Sequence, residues 1–173
     1  MLGKLIMGHE KFKRTAGFTL IELIVAIAVA AILLTIAVPS LSNLIRNNEV
    51  TGQTNELVAL INFARSEAIR RNKSIDVDLI SGTDGWSAEV RSPDSTEDSE
   101  ECTVGVLRCA SYNDVLLSGA SSLTFNSRGY LEPFGPISLV LKHTNCSGDR
   151  QRREIDIMPT GQLSSSAASC SGK

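Results

Sequence analysis

The chain reads as three hydrophobic patterns in succession. From Phe18 to Val38 there are 21 residues, and Glu22 is the only charged one. A run of that length spans the hydrocarbon core of a bilayer as a helix. Beyond Pro39 the apolar positions thin to Leu41, Leu44, Ile45 (followed by Asn48), and then Leu57, Leu60, Ile61, Ala64 and Ala68. Spacings of three and four make one helical face. The two segments predict one helix over residues 18–72, about 80 Å long at 1.5 Å per residue. Its first half is apolar all round and its second half, 40–72, is amphipathic. The opposite face carries Arg46, Glu49, Glu56, Arg65, Glu67 and Arg70, which read as solvated surface. Arg65 and Glu67 are too close in sequence to face each other. Pro39 should kink the helix, because it cannot donate to the ladder. Thr51-Gly52-Gln53-Thr54 is a second weak stretch, with glycine costing about 1 kcal/mol relative to alanine.

After Asn72 the period falls from 3.6 to 2. Ile75, Val77 and Leu79 alternate with Asp76 and Asp78, and Ser81-Gly82-Thr83-Asp84-Gly85 makes a turn into a returning strand over 86–91. Further strands are predicted at 104–108, 114–117, 122–126, 137–142 and 153–158. Residues 92–101 are polar and acidic and read as a surface loop. The serine-rich tail from Leu163 is expected to be poorly ordered unless Cys170 ties it down. Trp86, the only tryptophan, reads as a core anchor. The expected class is therefore α+β: a long N-terminal helix, membrane-spanning in its first half, packed on a domain of small antiparallel sheets over residues 73–173.

Charge orients this arrangement. Residues 1–17 hold Lys4, Lys11, Lys13 and Arg14 against Glu10, a net +3, so the remainder of a chain of net −2 carries −5. A basic leader stays on the cytoplasmic side and sends the C-terminal domain across the membrane. The four cysteines, Cys102, Cys109, Cys146 and Cys170, all lie in that translocated part. An even count in an oxidising compartment reads as disulfides. Three connectivities are open. Cys102–Cys109 with Cys146–Cys170 is the favoured one, because each pair closes a polar loop or the tail. No C-x-x-C pair and only two histidines, His9 and His143, are present, so no metal site is expected. No cofactor motif or catalytic constellation is visible, and the chain is read as a structural protein.

Two details separate the N-terminus from a secretory leader. Cleavage after the apolar run would need small residues there, and 36–40 is a poor match. A lone carboxylate in a membrane span costs roughly 2.5 kcal/mol or more and marks a function with a partner. Gly17-Phe18-Thr19-Leu20-Ile21-Glu22-Leu23, with Pro39 further on, resembles the processing site of type IV pilins and type II secretion pseudopilins. The resemblance implies that a prepilin peptidase cuts between Gly17 and Phe18 and N-methylates Phe18. Met1 and Met7 are alternative starts of the leader.

A second resemblance narrows the family. Ala64-Arg65-Ser66-Glu67-Ala68-Ile69-Arg70-Arg71-Asn72, then Gly85-Trp86, Phe125-Asn126-Ser127-Arg128-Gly129 and the closing 155–161 are similar to the GspH/FimT group. That group holds H-type minor pseudopilins and FimT and FimU minor pilins. It implies the pilin fold, a bacterial inner-membrane anchor with a periplasmic body, and partners among minor and major pilins or pseudopilins and the inner-membrane assembly platform. It also implies a role for Glu22: pairing with the amine that cleavage creates on Phe18 of a neighbouring subunit. The alternatives within the group are a tip or initiation subunit of a type IV pilus, an H-type pseudopilin, and a FimT-like DNA-binding pilin. The DNA-binding members carry a Gly-Arg-x-Arg element, where this chain has Gly161-Gln162-Leu163-Ser164. Its remaining basic cluster, Arg150, Arg152 and Arg153 near Lys142, is the candidate for weak nucleic-acid contact.

Overall fold

The computed structural model describes residues 17–93, 102 and 105–171. Leader residues 1–16 and the acidic stretch 94–101 lie outside the described residues. The chain divides into two compact units, with the division between Ser40 and Leu41, and each is described by itself.

In the first unit, helix α1 (Leu20–Arg71) begins. Thr19 caps it: its Oγ1 accepts the amide of Glu22 at 3.3 Å, and its carbonyl accepts the amide of Leu23 at 3.2 Å. Thr19-x-x-Glu22 is thus a capping-box sequence, with the carboxylate at the positive end of the helix. Every residue from Gly17 to Ser40 is exposed. Helical assignment runs on through Pro39.

In the second unit the helix continues, and among the described residues nine strands follow: β1 Ile75–Ser81, β2 Gly85–Arg91, β3 Val106–Asn113, β4 Val115–Ser118, β5 Ser122–Phe125, β6 Leu131–Glu132, β7 Ile137–His143, β8 Arg152–Ile157 and β9 Leu163–Ala168. They form two antiparallel sheets, ordered β3-β2-β1-β5-β6 and β4-β7-β8-β9. Helix and sheets meet in one core. Val50, Leu57, Leu60, Ile61, Ala64 and Ala68 are fully buried against Ile75, Val77, Ala88, Phe125, Leu139 and Ile155, among others. Each buried Leu or Ile contributes roughly 1.5–3 kcal/mol. The helix ends in a Schellman motif. Asn72 adopts φ 51°, its amide reaches Ile69 O at 3.3 Å, and the amide of Lys73 reaches Ala68 O at 3.2 Å. Arg70 and Arg71 sit in the last turn, where cations complement the helix dipole.

Four expectations need correction. Leu41, Leu44 and Ile45 do not join the buried face; each is more than half exposed. The buried positions begin only at Val50, where the sheets come opposite the helix. The weak stretch 51–54 is regular helix, because Gln53 and Thr54 are buried by the body. The third long strand reaches Asn113 rather than ending at 108, since it pairs with β2 along its whole length; Ser111–Asn113 carry no apolar alternation to signal this. The serine-rich tail forms β9, paired with β8 from Arg152↔Ala168 to Ile157↔Leu163. Backbone bonds hold it, and they leave no mark in the side-chain pattern. Cys170 is bonded to Cys146, and its amide donates to Gly148 O at 3.1 Å.

Candidate functional site

Among the described residues, Gly17 and Phe18 at the N-terminus are exposed. Nothing stands within 4 Å of where a Cβ on Gly17 would lie, and Phe18 is 85% exposed. Glu22 lies in the first turn of α1, which Thr19 caps and which Phe18 precedes. The first lysine or arginine after it is Arg46, so the apolar segment offers its carboxylate no cation. A helix that is apolar on every side and buries none of it needs lipid or other helices around it. Thr19 is the site residue that pattern reading overlooked, although Thr-x-x-Glu ahead of an apolar run is a legible cap.

Much of the charged helix face is a grip, which corrects the sequence reading for Arg46, Glu49, Glu56, Arg65 and Glu67, while Arg70 remains exposed. Arg46 Nη1 donates to Asn145 O at 3.2 Å. Glu49 Oε2 lies 3.4 Å from Nε2 of His143, a buried residue. His143 Nδ1 accepts the amide of Asn145 at 2.9 Å, which leaves the ring proton on Nε2, facing the carboxylate. Glu56 pairs with Arg108 at 2.8 Å, and that guanidinium lies over the Phe63 ring. Trp86 is buried, and its indole N–H donates to Gln53 Oε1 at 2.8 Å, while Gln53 Nε2 donates to Asn113 O at 2.9 Å. Burial of each polar group is thus matched by a partner.

The family-like segments converge at the far end of the helix. Arg65 Nε donates to Gly129 O at 3.1 Å. Gly129 and Gly161 both hold φ of +78°, and a Cβ on Gly161 would lie 2.7 Å from Arg65 Nε. Glu67 is buried and accepts from Arg70 at 2.8 and 2.5 Å and from Arg71 at 2.8 Å. The Arg70 guanidinium, opposed by burial and helped by Arg71, brings its carboxyl down to about 2. Arg65 and Glu67 therefore make separate contacts, one to the loop glycines and one to the last helical turn.

Two disulfides lock the body, Cys102–Cys109 and Cys146–Cys170. The three candidate arginines do not assemble. Arg150 is exposed. Arg152 turns to Glu154 at 2.7 Å, whereas Arg153, the next residue of the strand, points to the opposite face and donates to Thr51 Oγ1 at 3.0 Å. Alternation along β8 separates neighbours in sequence. Among the described residues no group of three or more His, Cys, Asp or Glu is placed to hold a metal ion.

Comparison with known proteins gives this arrangement a context. The family model described as Type II transport protein GspH matches residues 53–161. The model for the prokaryotic N-terminal methylation motif matches residues 12–38. Two crystal forms of the type IV minor pilin FimU of Pseudomonas aeruginosa (strain PAO1) share the fold. The first is 20% identical with a TM-score of 0.54, covering 68% of this chain and 87% of that one. The second is 18% identical with a TM-score of 0.52, covering 67% of this chain and 91% of that one. A search of curated proteins finds no match.

Proposed function

The chain belongs to the GspH family of pilin-like proteins, and on that premise we propose that it is a minor pilin, cut and N-methylated by a prepilin peptidase and built into a type IV pilus, in its tip or initiation complex. Family and fold are those of structural pilins. The observation that carries the reading is the exposed apolar segment from Gly17 to Ser40, opened by Thr19 and Glu22 at a capped helix start. Cleavage between Gly17 and Phe18 creates an amine. Glu22 then pairs with the Phe18 amine of a neighbouring subunit in the inner membrane, where low polarity strengthens the attraction and penalises the unpaired charge. Contact among apolar helices supplies the remaining adhesion. Other minor pilins, the major pilin and the inner-membrane assembly platform are the partners, with the body in the periplasm.

A second reading, an H-type pseudopilin of a type II secretion system, is favoured by the description of the matching family model. Both readings require the same processing. Mass spectrometry of the mature protein should find N-methyl-Phe18 at its start, and an N-terminus near Ser40 would refute both. Glu22→Ala should leave cleavage and the disulfides intact and remove the subunit from sheared filaments, while Glu22→Asp retains part of the incorporation. Normal incorporation of Glu22→Ala would show the charge to be dispensable. Deleting the chain separates the two readings: loss of surface pili with secretion intact selects the pilus.

A further inference from the structure

We propose that the root of the folded body is a lipid-headgroup surface, which binds anionic phospholipid beside the point where the chain leaves the membrane. The inference rests on the reading of residues 20–38 as a membrane anchor. The surface itself belongs wholly to the second unit.

Three observations support it. Leu41, Leu44 and Ile45 are 57%, 53% and 57% exposed, at helical spacing on one face, where the body offers them no cover. Arg46 follows at once and binds the 143–151 turn through Asn145 O, and Gln151 Nε2 of the same turn donates to Asn43 Oδ1 at 3.2 Å. The turn is therefore fixed beside helix residues 43–46. Connectivity limits how far Asn43 lies from the end of the apolar run: it is five residues beyond Val38, and five residues reach at most about 18 Å even when fully extended.

The turn's own chemistry suits that position. Arg150 lies within the turn and Lys142 just before it, at the end of β7, and both are exposed. Of the other charges nearby, Glu49 faces His143, Glu154 pairs with Arg152, Arg153 is turned to Thr51, and two carboxylates oppose the cations: Asp149 within the turn and the exposed Asp114, whose carbonyl accepts the amide of Thr144. The local balance is basic, although the residues after the leader sum to −5. At 100° per residue Leu41, Leu44 and Ile45 lie on the side of the helix away from Asn43 and Arg46, so the root of the body carries an apolar side and a basic side, the composition of an interfacial segment. Each basic residue near an anionic surface raises local residence about fivefold. The Cys146–Cys170 bridge and the Cys170-to-Gly148 hydrogen bond hold the turn in one shape, so little conformational freedom is lost on contact.

The test uses the full chain in nanodiscs of phosphatidylcholine alone or with phosphatidylglycerol, read by hydrogen exchange of the 143–151 peptide. Exchange should be slowed fivefold or more by phosphatidylglycerol, while the β2 peptide is unchanged. The pair Lys142→Glu and Arg150→Glu should abolish the difference, with Trp86 emission reporting an intact body. Equal exchange in both lipids, with the chain retained in the discs, would overturn the proposal and leave the anchor reading standing. Loss of the chain from the discs would overturn both. Protection of the same peptide by a DNA duplex in phosphatidylcholine discs, with none from phosphatidylglycerol, would overturn it in favour of a nucleic-acid surface.

Discussion

Replacing Gly161 by alanine tests the junction where three distant segments meet. Gly161 holds φ of +78°, in the left-handed region, where a side chain costs roughly 1–2 kcal/mol. The added Cβ would lie 2.7 Å from Arg65 Nε and 2.9 Å from Arg65 Cδ, and closer still to the carbonyl oxygen of Gly129. Arg65 cannot swing away freely, because its Nε is bonded to that same carbonyl. Overpacking of this kind costs about 1–3 kcal/mol. The stiffer unfolded chain returns up to about 1 kcal/mol. The net destabilisation is about 1–5 kcal/mol. At a urea dependence near 2 kcal/mol per molar, that lowers the midpoint by about 0.5–2.5 M. Trp86 is the only tryptophan and is buried in the body, so its emission during urea titration of the detergent-solubilised full chain reports the body alone. Gly52→Ala is the control of opposite sign. Gly52 lies in the helix with nothing within 4 Å of its added Cβ, and the change should stabilise by up to about 1 kcal/mol. A Gly161→Ala midpoint at or above that of the parent would refute the packing argument.

Other tests follow from the same structure. The depressed Glu67 carboxyl contributes stability that is fully present above its ordinary value of 4.5 and is lost as pH falls toward about 2. The shift sets a ceiling of about 3 kcal/mol, which exposure of Arg70 reduces to about 1 kcal/mol; Glu67→Gln should flatten the urea midpoint over that window, and an unchanged acid profile would refute the pairing. Loop length ranks the disulfides. Cys146–Cys170 closes a separation of 24 residues and Cys102–Cys109 one of 7, so paired serine substitutions should cost about 3 and about 2 kcal/mol respectively. Equal losses, or β9 amides that stay protected from exchange without the Cys146–Cys170 bridge, would show that the tail is held by strand pairing alone.

What the amino-acid order determined by itself was whatever depends on near neighbours. Helical periodicity from Leu57 to Ala68 and the alternation at Ile75–Leu79 mark elements because burial repeats along the chain at the period of the backbone. The Thr19-to-Glu22 cap is likewise legible, since its geometry spans a single helical turn. The tertiary structure decided which polar residues are surface. Arg46, Glu49, Glu56 and Glu67 look solvated by periodicity, yet each finds a partner across the body or in the last turn. Leu41, Leu44 and Ile45 look buried and are exposed, because no sheet reaches that far down the helix. β9 is held by backbone bonds to β8, and a run of serines gives no hydrophobic sign of them. Arg152 and Arg153 look like one cluster, but alternation along β8 sends them to opposite faces. For Arg46, Glu49 and Glu56 the deciding contact joins residues tens of positions apart, and such pairings leave no local period to read.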